Sequence, residues 1–264
     1  MFDGASALSE ENKCDIHTSF SSNENWAHDW SVFCPAVFNS CGDLVSHEGY
    51  DYSTVLIGEQ CWFSENCRYL PTVSPTSASS TTSPYYYVNG YEGTDVAAAQ
   101  ATSNYATYGV LYNWPAVMTE GICPTGWHIP TDEEWQTMEM ALGMSASEAS
   151  STGWRGSPVG GYMKSTSGWN SGGNGSNSSG YTGLPGGFRY YGGFASVGSD
   201  GYWWSASESV SYSSWNRKLL SYNDVVYRDN LSRDFGFSAR CVIDYTDECG
   251  VLNGNNSTGT VCCG

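Results

Sequence analysis

The chain has 264 residues, a formal net charge of −17, and 10 Lys plus Arg against 31 Gly, 19 Tyr and 11 Trp. So acidic a balance argues against a nucleic-acid partner, which demands a cationic surface, and no stretch approaches the length of a membrane span. The length suits one large, loop-rich domain with appendages. Aromatic-rich, Gly-rich and Lys-poor is the composition either of displayed binding loops or of a core filled with rings.

Met1 to Phe38 is polar and aromatic, with Trp26, Trp30, Cys14 and Cys34. It reads as a separate extension, residues 1–40, stapled by disulfides and suited to subunit contacts. Met1-Phe2-Asp3 shows neither the basic start nor the apolar run of a signal peptide. Val45 to Tyr52, Thr54 to Gly58 and Gln60 to Phe63 alternate apolar and polar residues and predict strands of a hairpin. Pro71 to Ser83 is a Ser/Thr/Pro loop, Tyr85 to Gly90 a strand into a turn, and Val96 to Ala101 a helical turn. Tyr108 to Trp114 reads as a strand or irregular core segment, and Pro115 to Glu120 as a further helical turn.

The strongest local signal is Pro130-Thr131-Asp132-Glu133-Glu134-Trp135. Thr131 is placed to cap a helix, with Glu134 three residues on to complete a capping box. Asp132, Glu133 and Glu134 favour the positive end of the helix dipole. Trp135, Met138 and Leu142 share one face, and Gly143 is the stop. The helix is predicted over 132–142. Ser145 and Glu148 repeat the box and predict a short helix over 146–151. Ser165 to Gly183 is loop. Leu184 to Arg189 and Gly201 to Ser207 return to the core, Ser213 to Leu220 and Val225 to Tyr227 form a hairpin about Tyr222-Asn223-Asp224, and Gly236 to Val242 is an alternating last strand. Residues 245–264 are a cysteine-containing tail, similar to short cysteine repeats of large secreted surface proteins.

Ten cysteines, Cys14, Cys34, Cys41, Cys61, Cys67, Cys123, Cys241, Cys249, Cys262 and Cys263, lack zinc-like paired spacing. They predict disulfides in an oxidising compartment. Cys34–Cys41 and Cys61–Cys67 would close short loops, and Cys262 and Cys263 would bond to separate partners.

Seven segments follow one another along the chain: Ile57 to Asn66, Tyr108 to Trp114, Cys123 to Trp135, Gly168-Trp169-Asn170, Leu184 to Arg189, Gly201 to Glu208 and Gly236 to Val242. This set resembles the Fibrobacter succinogenes major paralogous domain, a family of bacterial extracellular domains, over residues 41–244. The resemblance implies an α+β, C-type-lectin-like fold related to formylglycine-generating enzymes and to retroelement-diversified variable proteins. Such a fold has two helices, small twisted antiparallel sheets and a high loop content. The resemblance also implies a Cys123–Cys241 bridge between the helix start and the last strand. In diversified relatives the variable segment precedes that strand, a place held here by Ser209 to Asp234.

Catalytic chemistry is not signalled. His17, His28, His47 and His128 are dispersed, with His128 read as a hydrogen-bonded core residue, and there is no EF-hand loop and no Gly-x-Ser-x-Gly. Sugar-binding lectins of this fold hold calcium with Glu-Pro-Asn or Gln-Pro-Asp plus Trp-Asn-Asp. None of these occurs, and Trp215-Asn216-Arg217 puts a cation where the last triplet has a carboxylate. The expectation is no enzyme, no metal site and no cofactor, leaving room for a structural calcium ion. Asn174, Asn177, Asn230, Asn255 and Asn256 head N-x-Ser/Thr triplets, glycan acceptors in a eukaryotic or viral setting.

The candidate ligand surface is the 209–234 hairpin. Strand alternation turns Trp215, Arg217 and Leu219 inward, and Asn216, Lys218 and Leu220 outward. Tyr212, Tyr222, Asn223, Tyr227, Arg228, Asp229, Asn230 and Arg233 complete the candidate face. Arg217, Lys218, Arg228 and Arg233 concentrate scarce cations there, either for a ligand or for ion pairs within the fold. The expected function is an extracellular or surface-displayed module that binds a protein or glycan. The alternative is a structural subunit of a filament, appendage or virion surface. Neither reading involves nucleic acid or a membrane span.

Overall fold

The computed structural model describes residues 40–244, together with helical positions Lys13, Ile16, Ser19 and Phe20. The rest of the extension, the tail, Cys14, Cys34, Cys249, Cys262, Cys263, Asn255 and Asn256 lie outside the described residues. Among the described residues, no helix is long and apolar enough to cross a membrane.

The predicted run Val45 to Tyr52 is two strands, β1 (Leu44–His47) and β2 (Tyr50–Ile57). Glu48 and Gly49 both take positive φ (50° and 75°), the two-residue turn that suits the twist of a tight hairpin. A second turn at Gly58 leads into β3 (Gln60–Phe63), which is buried throughout. The last strand, β12 (Val242–Asp244), pairs with β3, so the sheet order β1-β2-β3-β12 joins the two ends of the domain.

Between these lie β4 (Tyr86–Tyr87), α1 (Val96–Gln100), α2 (Ser103–Tyr108), β5 (Leu111–Tyr112) and α3 (Trp114–Val117). Then follow α4 (Asp132–Ala141), α5 (Ala146–Ser150), β6 (Gly153–Arg155) and α6 (Val159–Met163), a 3₁₀ turn at Asn170–Gly172, and the hairpin β7 (Phe188–Tyr190) and β8 (Gly193–Ala195). The strands β9 (Asp200–Val210), β10 (Ser213–Leu220) and β11 (Val226–Ser232) join β6 in a second antiparallel sheet, ordered β6-β11-β10-β9. The fold is thus α+β, and residues 40–244 hold two four-stranded sheets, two two-stranded pairs (β4-β5 and β7-β8) and six short helices. The helix α2 replaces the start of what reads in the sequence as a core segment.

Both capping boxes form. The Thr131 hydroxyl accepts from the Glu134 amide at 3.2 Å while the Glu134 carboxylate accepts from the Thr131 amide at 2.7 Å, and Ser145 and Glu148 repeat the exchange. The α4 face that buries Trp135 and Met138 also buries Asp132 and Glu139. Two carboxylates inside an otherwise apolar face require internal partners.

The expected last strand, Gly236 to Val242, is corrected. Gly236 pairs with Arg189, Phe237 with Tyr112 and Ser238 with Trp203, one bridge each, and only Val242–Asp244 forms a ladder. The segment threads the core, satisfying its backbone on a different element at each step.

Cys123–Cys241 forms, with Cα atoms 5.8 Å apart. The short-loop pairings are corrected: Cys41 bonds Cys61, which excludes both Cys34–Cys41 and Cys61–Cys67. Cys61 sits in β3 opposite Leu56, whereas Cys67 has left the strand and is held by its amide on the Ala239 carbonyl. Cys67 is a buried free thiol, and burial pushes its pKa up to about 12.

Candidate functional site

The β6-β11-β10-β9 sheet carries two different chemistries on its faces. On the inner face Arg217 reaches Asp132 and Glu139, each at 2.7 Å, Arg155 reaches Glu139 at 2.6 Å, and Arg228 reaches Asp132 at 2.6 Å. Three guanidiniums and two carboxylates, all buried, thus tie three strands to α4. Arg228 also stacks on Trp215 at 3.9 Å and donates to the Ser150 carbonyl at the end of α5.

Burial alone would raise the Asp132 carboxyl, but hydrogen bonds from Arg228 and the charge and hydrogen bonds of Arg217 outweigh it and hold it below its usual value. The Glu134 carboxyl is lowered in the same way, burial being outweighed by a 2.6 Å contact with His128 and the Thr131 amide. Both groups bind fewer protons folded than unfolded. Their stabilisation is complete above the unfolded carboxylate range, about pH 4, and is lost as pH falls through the lower folded values. Denaturation midpoints are expected to fall with acidification below about pH 5. An Asp132→Asn variant should show a weaker fall, and an unchanged slope would refute this role.

The opposite face presents one cross-strand row. Tyr202 of β9 is in register with Lys218 of β10, Lys218 with Tyr227 of β11, and Tyr227 with Trp154 of β6. The Trp154 and Tyr227 rings lie 4.2 Å apart, and the Lys218 ammonium sits 4.9 Å from the centre of Tyr202 and 6.0 Å from that of Trp154. The ammonium also pairs with Asp200 at 3.2 Å, and Tyr227 donates to Asp229 at 3.2 Å. On the β9 side Phe237 covers the face, stacking on Tyr202 at 4.7 Å. On the β6 side the row is open, with Trp154 48% exposed.

Tyr222, 75% exposed, stands in the β10–β11 turn beside this row. That turn is clamped from beneath. Buried Lys164 donates to the carbonyls of Asn223 (2.8 Å) and Leu220 (3.3 Å) and pairs with Asp224 at 2.9 Å. A side chain at Gly173 would place its Cβ 1.9 Å from the Ser221 carbonyl oxygen, and one at Gly160 would lie 2.4 Å from that of Val225. These two glycines, one in α6 and one in the Gly-rich loop, therefore let backbone pack directly against the turn and the start of the next strand.

Of the predicted ligand residues, the structure gathers Lys218, Tyr222, Asn223, Tyr227 and Asp229 in this region. Asn216 and Leu220 are corrected: they are 0% and 1% exposed, because β10 lies between two strands and is covered on both faces. Arg228 is corrected likewise, its guanidinium turned inward to Asp132. Tyr212 and Arg233 lie at the far end of β10, where Arg233 pairs with Glu208 at 3.0 Å and stacks on Trp114. Asn230 is partly buried opposite Trp215. Of the two readings of the four cations, ion pairs within the fold is the one the structure carries: Arg217, Lys218, Arg228 and Arg233 each pair with a carboxylate of the chain. Asn174 is exposed, whereas the Asn177 amide is engaged with Thr182 at both ends. Trp154, missed in the sequence, carries no signal except its position in a short Gly-Trp-Arg strand. Its place follows only from the pairing of β6 with β11.

A cleft of about 830 Å³ opens elsewhere, beside His47, Met118, Glu120, Cys123, Trp127 and His128. His128 is corrected from core to surface: its side chain is 44% exposed and holds Glu134. Among the described residues no three His, Cys, Asp or Glu side chains converge as a metal site would require.

The fold and this face define an α+β domain stapled by disulfides, with an aromatic outer surface braced by buried charge. Residues 55–243 match the model of the Fibrobacter succinogenes major domain, and the chain belongs to that family. No curated protein and no solved structure matches it.

Proposed function

We propose that the chain is a non-catalytic, extracellular or surface-displayed binding module of C-type-lectin-like fold. Its ligand, a protein or glycan, sits on the face carried by the 209–234 hairpin and β6. The observation that carries this reading is the open row Trp154–Tyr227–Lys218, with Tyr222 at its side. Exposed rings on a surface held rigid by its support give contact area at low entropic cost. The Cys41–Cys61 and Cys123–Cys241 disulfides suit an oxidising compartment. Glycan and protein arrays test the reading with the wild type beside Trp154→Ala and Tyr222→Ala. Both substitutions are expected to weaken binding about tenfold or more while leaving the melting temperature within about 3 °C, since both side chains are exposed. Full binding by both variants would sink the proposal.

A second reading, a subunit of an extracellular assembly, is favoured by another surface. Tyr191 and Tyr212 stand at hairpin tips with φ of 39° and 68°, and are 82% and 67% exposed. A bulky residue is uncommon at such backbone angles, and the turns hold both rings out into solvent. Tyr191 packs edge-on against Phe235, at 5.6 Å. Self-association through these tips would appear as mass growth with concentration in light scattering, abolished by Tyr191→Ser with Tyr212→Ser.

A further inference from the structure

We infer that the ligand of the Trp154–Tyr227 face is an uncharged glycan, bound by stacking a neutral pyranose ring on Trp154. This specification rests on the binding reading above. The first argument is the destination of the basic residues. Lys13 belongs to the extension, and each of the other nine is engaged within the domain. Arg155, Lys164, Arg217, Lys218, Arg228 and Arg233 pair with carboxylates. Arg68 pairs with Glu65 and donates to the carbonyls of Tyr105 and Ala106. Arg189 is bound by the carbonyls of Thr76, Ala78 and Asp234, and Arg240 by those of Tyr181 and Thr182. A phosphate, sulfate or uronate arriving at the row would meet the Lys218–Asp200 and Lys164–Asp224 pairs, whose charges already cancel, and the further negative charge of Asp229. Like-charge approach of that kind is unfavourable.

The second argument excludes a cation. Aromatic rings ringed by carboxylates ordinarily suit an ammonium group. Here the Lys218 ammonium already fills that position, over Tyr202 and near Trp154, with Asp200 as its counter-ion. A second cation would have to displace it against charge repulsion.

What remains is a neutral molecule with one apolar face and a rim of hydroxyls. The C–H face of a pyranose lies flat on an exposed indole. Its hydroxyls donate to Asp200 or Asp229, both acceptor-only when ionised, and accept from the Lys218 ammonium. Three exposed or half-exposed rings offer far less than the roughly 800 Å² per partner of a stable protein interface, which also favours a small ring over a protein surface. The Lys164 clamp keeps Tyr222 in place before the ligand arrives, so little ordering cost opposes a weak, stacking-based contact.

The experiment titrates the whole disulfide-intact chain with cellohexaose, mannohexaose, xylohexaose, polygalacturonate and heparin, followed by calorimetry and tryptophan fluorescence. At least one neutral hexaose is expected to bind, to lose about tenfold or more in affinity in Trp154→Ala and in Tyr222→Ala, and to be indifferent to salt between about 50 and 500 mM. Lys218→Met is expected to weaken the same hexaose without conferring binding to heparin. Failure of all three neutral hexaoses overturns the glycan assignment, as does Trp154-dependent binding to polygalacturonate or heparin. A protein ligand captured on an array and lost in Trp154→Ala, with no hexaose bound, would overturn the glycan assignment while leaving the binding face standing. Indifference of every ligand to Trp154→Ala and Tyr222→Ala overturns both.

Discussion

Glu139→Gln is expected to lower the unfolding free energy by about 3–5 kcal/mol, the usual cost of removing one partner from a buried ionic cluster. Glu139 is fully buried, and its two oxygens each meet a guanidinium, Arg155 at 2.6 Å and Arg217 at 2.7 Å. The cluster already holds three guanidiniums against two carboxylates, so the variant would leave three cations sharing Asp132. The neutral amide also turns an N–H₂ donor towards one arginine, which has no acceptor to offer. For a domain of this size the loss corresponds to roughly 6–20 °C in melting temperature. Glu208→Gln is the control: it removes a carboxylate from Arg233 at 3.0 Å, but that carboxylate is 67% exposed, and surface pairs of this kind contribute about 1 kcal/mol or less. Equilibrium denaturation of both variants distinguishes the cases. Similar losses for the two would mean that the cluster is no more than an ordinary set of ion pairs.

The same cluster connects stability to the candidate function. It fixes β6, β10 and β11 on α4 from the inner side, while Trp154, Lys218 and Tyr227 project from the same strands on the other. Arg217 and Lys218 are neighbours in the chain and face opposite ways, one as brace and one in the open row. A strand can combine these roles because its period is two. Loosening the brace should therefore weaken ligand binding even though no cluster residue is exposed.

Much of this was legible locally. The capping boxes at Thr131 and Ser145 depend on residues three apart, and the hairpin turn on Tyr222-Asn223-Asp224, so both appear in the sequence without knowledge of the rest. The Cys123–Cys241 bridge came from resemblance to the family, because its members are far apart in the chain. The outward set was half right for a physical reason. Alternation states which residues share a face of β10, but not what covers that face. Lys218 and Asn216 share it, yet Asn216 is buried and Lys218 is partly open. Asp132 reads as a dipole charge and is one, but it also serves two arginines more than eighty positions away. Trp154 became part of the face only when β6 paired with β11.

Cys241→Ser is expected to produce a loss of similar size, about 5 kcal/mol. The Cys123–Cys241 bridge spans 118 positions, and closing a loop of that length is worth about 5 kcal/mol in the chain-entropy account. The bridge anchors the segment before α4 to the threading segment before β12, so its loss also frees the end of the domain. Cys123→Ser should be much milder. The Cys67 sulfur lies 3.6 Å from that of Cys241, at a sequence separation of 174. With Cys123 gone, the two thiols can be oxidised to a substitute bridge during folding in an oxidising compartment, each giving up one hydrogen to the folding oxidant. The replacement loop is longer, and loop entropy grows only logarithmically, so little of the restraint is lost. Alkylation and peptide mapping should find Cys67 blocked in Cys123→Ser but free in Cys241→Ser, with the melting temperature of the first higher by about 10 °C or more. Equal destabilisation, with Cys67 alkylated in both, would show that burial keeps the third sulfur inert despite its proximity.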